Sequence, residues 1–308
     1  MHFDISTLFT HAQLAAGGMG PNDIRAKLRS GEFKRIRRGV YRLGGELDSL
    51  IEHEQLIWAT LLHVDETNVV SHQSAAVLHS LPTQRKDLER VYMTRRTPGH
   101  THSSQQLRVR DTPLDDVDIT HFDGVPVTTL ARTAADLART LPYAWGVVTC
   151  DAAFRAGLAR SDMLTALGRY PHLRGQARAQ RVAAFADARS ESPAESMSRV
   201  TMARAGIPTP LLQYEVFDDN GEFVARTDFA WPELRLVGEV DGQVKYGQLL
   251  RPNQTADSVL MAEKRREELI RQQGFWLVRW DWGTAVDPSA LGERLRRAMQ
   301  WQNRSSIG

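Results

Sequence analysis

The sequence predicts an α+β fold in three parts. These are a winged helix-turn-helix over residues 1–48, a mostly helical middle over 49–189, and a C-terminal domain over 190–308 with a central mixed sheet flanked by helices. Three observations predict it. Two short amphipathic segments, separated by Gly17-Gly18, precede a basic stretch broken by Gly39. Apolar residues recur at helical spacing through much of 50–188. From Ser190 the pattern changes to strand-like runs set between two helical ones.

Length and composition bound the function. At 308 residues the chain is long enough for about two domains of ~150 residues. Lys and Arg number 39 against 37 Asp and Glu, a net charge of +2, and 42% of residues are hydrophobic. That excludes a polycationic protein and an acidic disordered chain. The one cysteine, Cys150, excludes an internal disulfide framework and a cysteine-based zinc site. No signal peptide is visible at Met1-His2-Phe3-Asp4, and no apolar run approaches the ~18 residues that span a bilayer. A cytoplasmic protein without membrane partners is expected.

The N-terminal elements follow from their caps. Thr10-His11-Ala12-Gln13 has capping-box spacing, and Gly17-Gly18 ends that helix. A second helix opens at Pro21-Asn22-Asp23 and runs to about Ser30. Ile24 and Leu28 lie on its buried face, and Arg25, Lys27 and Arg29 point largely away. Phe33 to Arg42 reads as strands broken by Gly39. Helix, turn, helix and basic hairpin make a winged helix-turn-helix, in which a helix enters the major groove and the wing touches phosphates. Residues 25–42 hold eight Lys/Arg and one acid, a net +7. The candidate contacts to double-stranded DNA are Arg25, Lys27, Arg29, Lys34, Arg35, Arg37 and Arg38. The bland alternative is a solvated basic face. The string FTHAQLAAGGMGPNDIRAKLRSGEFKRIRRGVYRLGG resembles the N-terminal domain of AbiEi-type antitoxins, the repressor halves of type IV toxin–antitoxin pairs. That resemblance implies binding upstream of the protein's own operon and a toxin partner.

The middle region holds apolar helices at His53–His63 and Ser71–His79, the second stopped by Pro82. Short strands are expected at Arg90–Thr94 and near Val125–Thr128. Thr129 to Leu137 is a helix with Arg132 and Asp136 spaced for an i,i+4 pair. VSHQSAAVLHSLP and VTTLARTAADLAR also resemble the body of AbiEi-like regulators. His100-Thr101-His102 lacks a third ligand at a known spacing. His72 and His79 read as helix-face or buried histidines, and Cys150 as a small core residue.

The C-terminal third carries the chemistry. Ser192-Pro193-Ala194-Glu195 opens a helix to Ala205. Strands follow at Leu211–Phe217, Phe223–Ala230 and Arg235–Asp241, the first two joined by the tight turn Asp218-Asp219-Asn220-Gly221. A helix over Asp257–Gln273, a strand over Phe275–Trp280 and a helix over Ser289–Gln300 close the chain.

In a strand, side chains alternate faces, so Glu239 and Asp241 share one face and Leu236, Gly238 and Val240 the other. Asp228 on the preceding strand reaches the same spot. Three converging carboxylates repel unless a cation sits between them, and such oxygen ligands suit Mg²⁺ or Mn²⁺. The strings SPAES, RTDFAWPELRLVGEVDG and EKRREELIRQQGFWLVRW resemble the PD-(D/E)xK nuclease superfamily, in particular its small Vsr-like, restriction-endonuclease-like members. The resemblance implies a core of helix, three antiparallel strands, helix and strand. It maps the helix acid to Glu195, the first strand acid to Asp228 and the second to Glu239. The usual lysine position holds Asp241, so Lys245, or Lys264 from the following helix, would have to supply that charge, and Gln213 could also face the site. Each residue has a plainer role too: Glu195 completes a capping box with Ser192, Asp241 starts a turn before Gly242, and Lys264 sits on a solvated helix face.

Two functions follow. One is a DNA-binding protein with a metal-dependent endonuclease domain, using Asp228, Glu239 and Asp241 as metal ligands. The alternative is an AbiEi-like repressor or antitoxin with an inactive nuclease fold. The net +2 hides the contrast between them, since residues 25–42 carry +7 and residues 191–308 carry fifteen Lys/Arg against seventeen Asp/Glu.

Overall fold

The first elements form where the capping chemistry puts them. In the computed structural model, which describes residues 7–97, 101–241 and 256–305, a short strand β1 (Leu8–Thr10) leads into α1 (His11–Ala16). Thr10 accepts from the Gln13 N–H at 3.2 Å, and Gln13 reaches back to the Thr10 N–H at 2.8 Å. Helix α2 (Pro21–Arg29) starts on Pro21, with Asp23 accepting from the Gly20 N–H, and it buries Ile24. Strands β2 (Phe33–Arg37) and β3 (Val40–Leu43) form a hairpin turned by Gly39, whose φ of 74° suits glycine. They join β1 in a sheet of order β1-β3-β2.

The hairpin serves two cores. A register shift between Arg35 and Arg37 resets the alternation of β2. Phe33 therefore packs with Leu14, Ile24 and Tyr41, while Ile36 packs with Val40, Leu56 and Val70 in a larger cluster.

The middle region is less helical than its sequence suggests. Helix α3 (Ser49–Leu61) is followed by β4 (Asn68–Val70), α4 (His72–Leu78), β5 (Val91–Arg95), β6 (His102–Ser103), β7 (Leu107–Arg110), β8 (Ile119–Phe122), β9 (Val125–Thr128) and α5 (Leu130–Thr140). The expected strands at 90–94 and 125–128 are β5 and β9. Four more strands join them in a mixed sheet of order β6-β7-β5-β4-β9-β8. These four span two to four residues, too short for a period-2 pattern to register, and tertiary pairing supplies what local pattern lacks.

A buried ionic cluster joins α5 to the residues before β8. Arg132 donates to Asp136 at 2.7 Å, to Asp118 at 3.0 Å and to the Pro113 carbonyl at 2.9 Å. Asp118 also accepts from Tyr170 Oη at 2.7 Å and pairs with Arg169. Arg139 donates to Asp136 at 2.8 Å. The i,i+4 pair is therefore part of a desolvated network. His53, His72 and His79 are withdrawn from solvent, as is Cys150. Burial holds the His53 imidazole down to about 4 and that of His72 to about 3.

Helix α6 (Tyr143–Arg155) precedes α7 (Arg160–Arg169), α8 (Gln176–Phe185) and α9 (Pro193–Arg204). The chain divides into two units, Met1–Pro142 with Gly157–Ala184, and Tyr143–Ala156 with Phe185–Gly308. Helix α6 belongs to the second unit. There its buried Asp151 accepts from Arg199 of α9 and from the Asp187 N–H, each at 2.8 Å.

The second unit continues with β10 (Leu211–Phe217), β11 (Phe223–Trp231), β12 (Leu236–Asp241), α10 (Ala256–Gln272), β13 (Trp276–Asp281), α11 (Trp282–Ala285) and α12 (Pro288–Ser305). The sheet order is β10-β11-β12-β13, antiparallel except for the parallel pair β12/β13. One face packs Phe229, Trp231, Leu236 and Trp280 with residues of α9 and α12, and the other packs Ala230, Val237 and Leu277 with Ile270 of α10. No helix among the described residues is long and apolar enough to cross a membrane.

Candidate functional site

Two regions hold the sequence-predicted residues. In the first, the basic residues of 25–42 divide by partner. Lys27 pairs with Glu32, Lys34 with Glu52, and the buried Arg42 with Glu52 at 2.9 Å. Arg25 donates to Asn22 Oδ1 at 3.1 Å and makes no ion pair with a described residue. Arg29, Arg35 and Arg38 are exposed and have none either. Arg37 is half-buried and donates to Thr60 Oγ1 at 2.8 Å. Burial without a neighbouring carboxylate lowers its guanidinium from the usual value.

The second region lies on the sheet face that packs against α10. The register Leu212↔Phe229 sets Gln213 opposite Asp228, and Phe229↔Gly238 sets Asp228 opposite Glu239. Glu239 in turn pairs with Arg279 on β13. Asp228, Glu239 and Arg279 thus form a row across the sheet, with Asp241 two residues along from Glu239 and exposed. Cross-strand partners share a face.

Each member of the row has its own engagement. The paired register of β11 and β12 ends at Phe229↔Gly238, and Asp228 Oδ2 then accepts from the Val240 N–H at 2.9 Å. Glu239 Oε1 accepts from Arg266 of α10, and Oε2 from Arg279 Nε at 3.2 Å. Arg279 also donates to Glu267 at 2.9 Å and lies 3.7 Å from Glu263. Burial pulls the Arg279 guanidinium down, but the bond to Glu239 and the surrounding carboxylates outweigh that and raise it.

Gln213 turns away from the row. It sits at φ 52°, a left-handed conformation rare for this residue, and donates to Glu195 Oε2 at 2.8 Å. Glu195 is buried at the start of α9. It also accepts from the Ser192 hydroxyl at 2.7 Å and from the Glu191 N–H at 2.8 Å. Burial pushes its carboxyl up from the usual carboxylate range. Ser192 caps the Glu195 N–H as expected, but the Glu195 carboxylate takes the Ser192 hydroxyl and the Glu191 N–H rather than the Ser192 N–H of a full capping box, and Gln213 is its further partner.

The structure does not bring Lys264 to Glu239. Among the α10 side chains described, 261–272, those withdrawn from solvent are Glu263, Arg266, Glu267 and Ile270, at helical spacing, and Lys264 is exposed beside them. Lys245 lies outside the described residues, as does His100. The two residues that sequence reasoning missed are Arg266 and Arg279. Their signal was available, because Arg266 shares the helical phase of Ile270, and Arg279 sits on the strand that follows the helix.

The carboxyl oxygens of Asp228, Glu239 and Asp241 are of the hard kind that suits Mg²⁺ or Mn²⁺. As arranged they do not make a preformed cation site, because both Glu239 oxygens already accept from guanidinium groups. Among the described residues no group of three or more His, Cys, Asp or Glu side chains could hold a metal ion.

No family model matches the chain. Two uncharacterized proteins of Mycobacterium tuberculosis, MT2308 and Rv2248, are 40% identical to it over 115 residues, which is 37% of this chain. The chain spans only 42% of the length of these relatives. The crystal structure of the RV2827C protein from Mycobacterium tuberculosis is similar at 15% identity and a TM-score of 0.40, over 70% of this chain and 85% of that one.

Proposed function

We propose that this chain is a DNA-binding regulator in which residues 7–43 act as a winged helix on duplex DNA. In this reading the second unit is a PD-(D/E)xK-like fold whose acidic row is neutralised from within. The observation that carries the proposal is the set of exposed arginines without ion pairs, Arg25, Arg29, Arg35 and Arg38, on one helix and the hairpin beside it. Lys27 and Lys34, also expected to contact DNA, have carboxylate partners and contribute less. The likeness to AbiEi-type antitoxins adds an operator upstream of the protein's own gene and a toxin partner from the same operon.

The test is fluorescence anisotropy with the full chain and duplexes that include that upstream region. Arg35→Ala/Arg38→Ala is expected to weaken binding roughly tenfold or more and to flatten the dependence of log affinity on log salt. Wild-type affinity in that variant rejects the wing.

The opposed carboxylates favour a second reading, a metal-dependent endonuclease. The element order α9-β10-β11-β12-α10-β13 is the one its superfamily implies, and Asp228 lies in register with Glu239. Asp228, Glu239 and Asp241 would supply the oxygens for Mg²⁺ or Mn²⁺, in competition with Arg266 and Arg279. Cleavage of plasmid DNA in the presence of either ion, lost in Asp228→Ala, supports this reading. Retained DNA binding with no cleavage supports the regulator.

A further inference from the structure

Beside the hairpin lies an open groove of about 720 Å³ lined by His11, Arg37, Arg38, Gly39, Tyr41 and His63. It is of the size of pockets that take small ligands, about 300–1,000 Å³. Its residues come from three places in the chain: the first residue of α1, the β2–β3 hairpin from the end of β2 into β3, and the segment just past α3. Every lining side chain can donate a hydrogen bond and none is a carboxylate. The acids nearest His63 in sequence are Asp65 and Glu66. They are outside the lining, and Asp65 accepts from the Thr67 N–H at 2.8 Å.

Arg37 is what makes the groove unusual. The other partly withdrawn cations of the region have carboxylates, Lys27 through Glu32 and Arg42 through Glu52. Arg37 is half-buried, and among the described residues its partner is the neutral Thr60 hydroxyl. A cation partly shielded from water with no carboxylate beside it gains from a bound anion. The Thr60 hydroxyl itself donates to the Leu56 carbonyl at 2.7 Å, which orients its lone pairs toward Arg37. The guanidinium is thereby held in place before any ligand arrives, which lowers the entropy lost on binding. The space beside Gly39 is open. A Cβ built on this glycine meets nothing within 4 Å, and its carbonyl is occupied by the His11 N–H at 2.8 Å.

We propose that this groove is a phosphate site, with Arg37 as the fixed anchor and Arg38, His11 and His63 closing on the remaining oxygens. The ligand chemistry is a phosphate oxyanion on a sugar, carried by a nucleic-acid strand or by a free nucleotide. The first source rests on the DNA-binding reading and adds His11 and His63 to its surface. Arg–phosphate bonding is charge-assisted and tolerates any base.

The test uses the full chain, a labelled duplex and, in a separate titration, dAMP. Three variants are compared with wild type: Arg37→Gln, His11→Gln/His63→Gln, and Arg25→Gln/Arg29→Gln on α2 as a control outside the groove. Melting temperatures check that each variant folds. If the proposal holds, Arg37→Gln weakens duplex binding about tenfold and lowers the salt slope by about 1. The double histidine variant weakens it about threefold to tenfold. If the groove variants bind duplex like wild type while the α2 variant weakens, the phosphate site is wrong and the DNA-binding reading survives. If wild type binds no duplex, that reading fails. Binding of dAMP that Arg37→Gln abolishes then retains the groove as a nucleotide site, and no dAMP binding overturns it.

Discussion

Glu239 and Arg279 are register partners on adjacent parallel strands, and Arg279 Nε donates to Glu239 Oε2 at 3.2 Å. Arg266 takes the other Glu239 oxygen from the helix above. A cation therefore already sits over the carboxylate row, supplied by the protein. That relation separates a structural row from a metal-binding one and yields the first prediction.

Arg279→Met leaves Glu239, Glu263 and Glu267 facing each other with less positive charge between them. Truncating one member of a partly buried ion network is expected to cost about 2 kcal/mol. The check is chemical unfolding followed by tryptophan fluorescence. Added Mn²⁺ is expected to restore part of the loss, since a Glu239 oxygen is then free to bind it. A loss that Mn²⁺ leaves unchanged marks the row as purely structural.

Gly238→Ala tests the close approach of β12 to its neighbour. A Cβ at 238 would lie 2.7 Å from the Trp280 ring, whose indole N–H is fixed on Ser198 at 2.9 Å. The ring also stacks on Phe229 with centroids 5.4 Å apart, so it has little room to move. Overpacking of this kind costs about 1–3 kcal/mol. A melting temperature equal to wild type would refute the tight fit.

Asp118→Asn removes the negative charge, and one of the two acceptor oxygens, that hold Arg132, Arg169 and Tyr170 together. Arg132 and Asp118 are both fully buried, so the substitution leaves Asp136 as the carboxylate that both Arg132 and Arg139 must share away from water. A destabilisation of about 3–5 kcal/mol is expected, read by calorimetry. A loss below 1 kcal/mol would mean that water or a rearranged Asp136 takes over.

The pH dependence of stability has a definite sign. His53 donates from Nδ1 to the Leu88 carbonyl at 2.6 Å, and its Nε2 meets Ser74 Oγ at 2.9 Å. Its folded value is about 4, below the ordinary 6.5. Above pH 6.5 neither folded nor unfolded chain is protonated there, so stability is undiminished. As pH falls from 6.5 to 4 the unfolded chain takes up a proton that the folded chain refuses, and stability drops by up to about 3 kcal/mol. His53→Gln should flatten the melting-temperature profile between pH 6.5 and 4 relative to wild type. Parallel profiles would contradict the buried neutral imidazole.

The sequence by itself determined the elements that announce themselves locally. Thr10 and Gln13, Pro21 and Ser30, and Ser192 with Pro193 bound helices through caps that need only neighbouring residues. β10 lies where its alternating pattern puts it, and the ends of β11 to β13 fall within a residue of theirs. Alternation along β12 also determined that Glu239 and Asp241 share a face. Tertiary structure decided the rest, because it depends on which residues meet across space. The six-stranded sheet assembles from strands too short to carry a pattern. The bulge at Ile36 lets one hairpin serve two cores. Above all, Arg266 and Arg279 reach Glu239 from a helix and a strand that follow it by 27 and 40 residues. A spacing rule can name a carboxylate, but whether its charge is balanced by an ion or by an arginine is fixed only when the chain has folded.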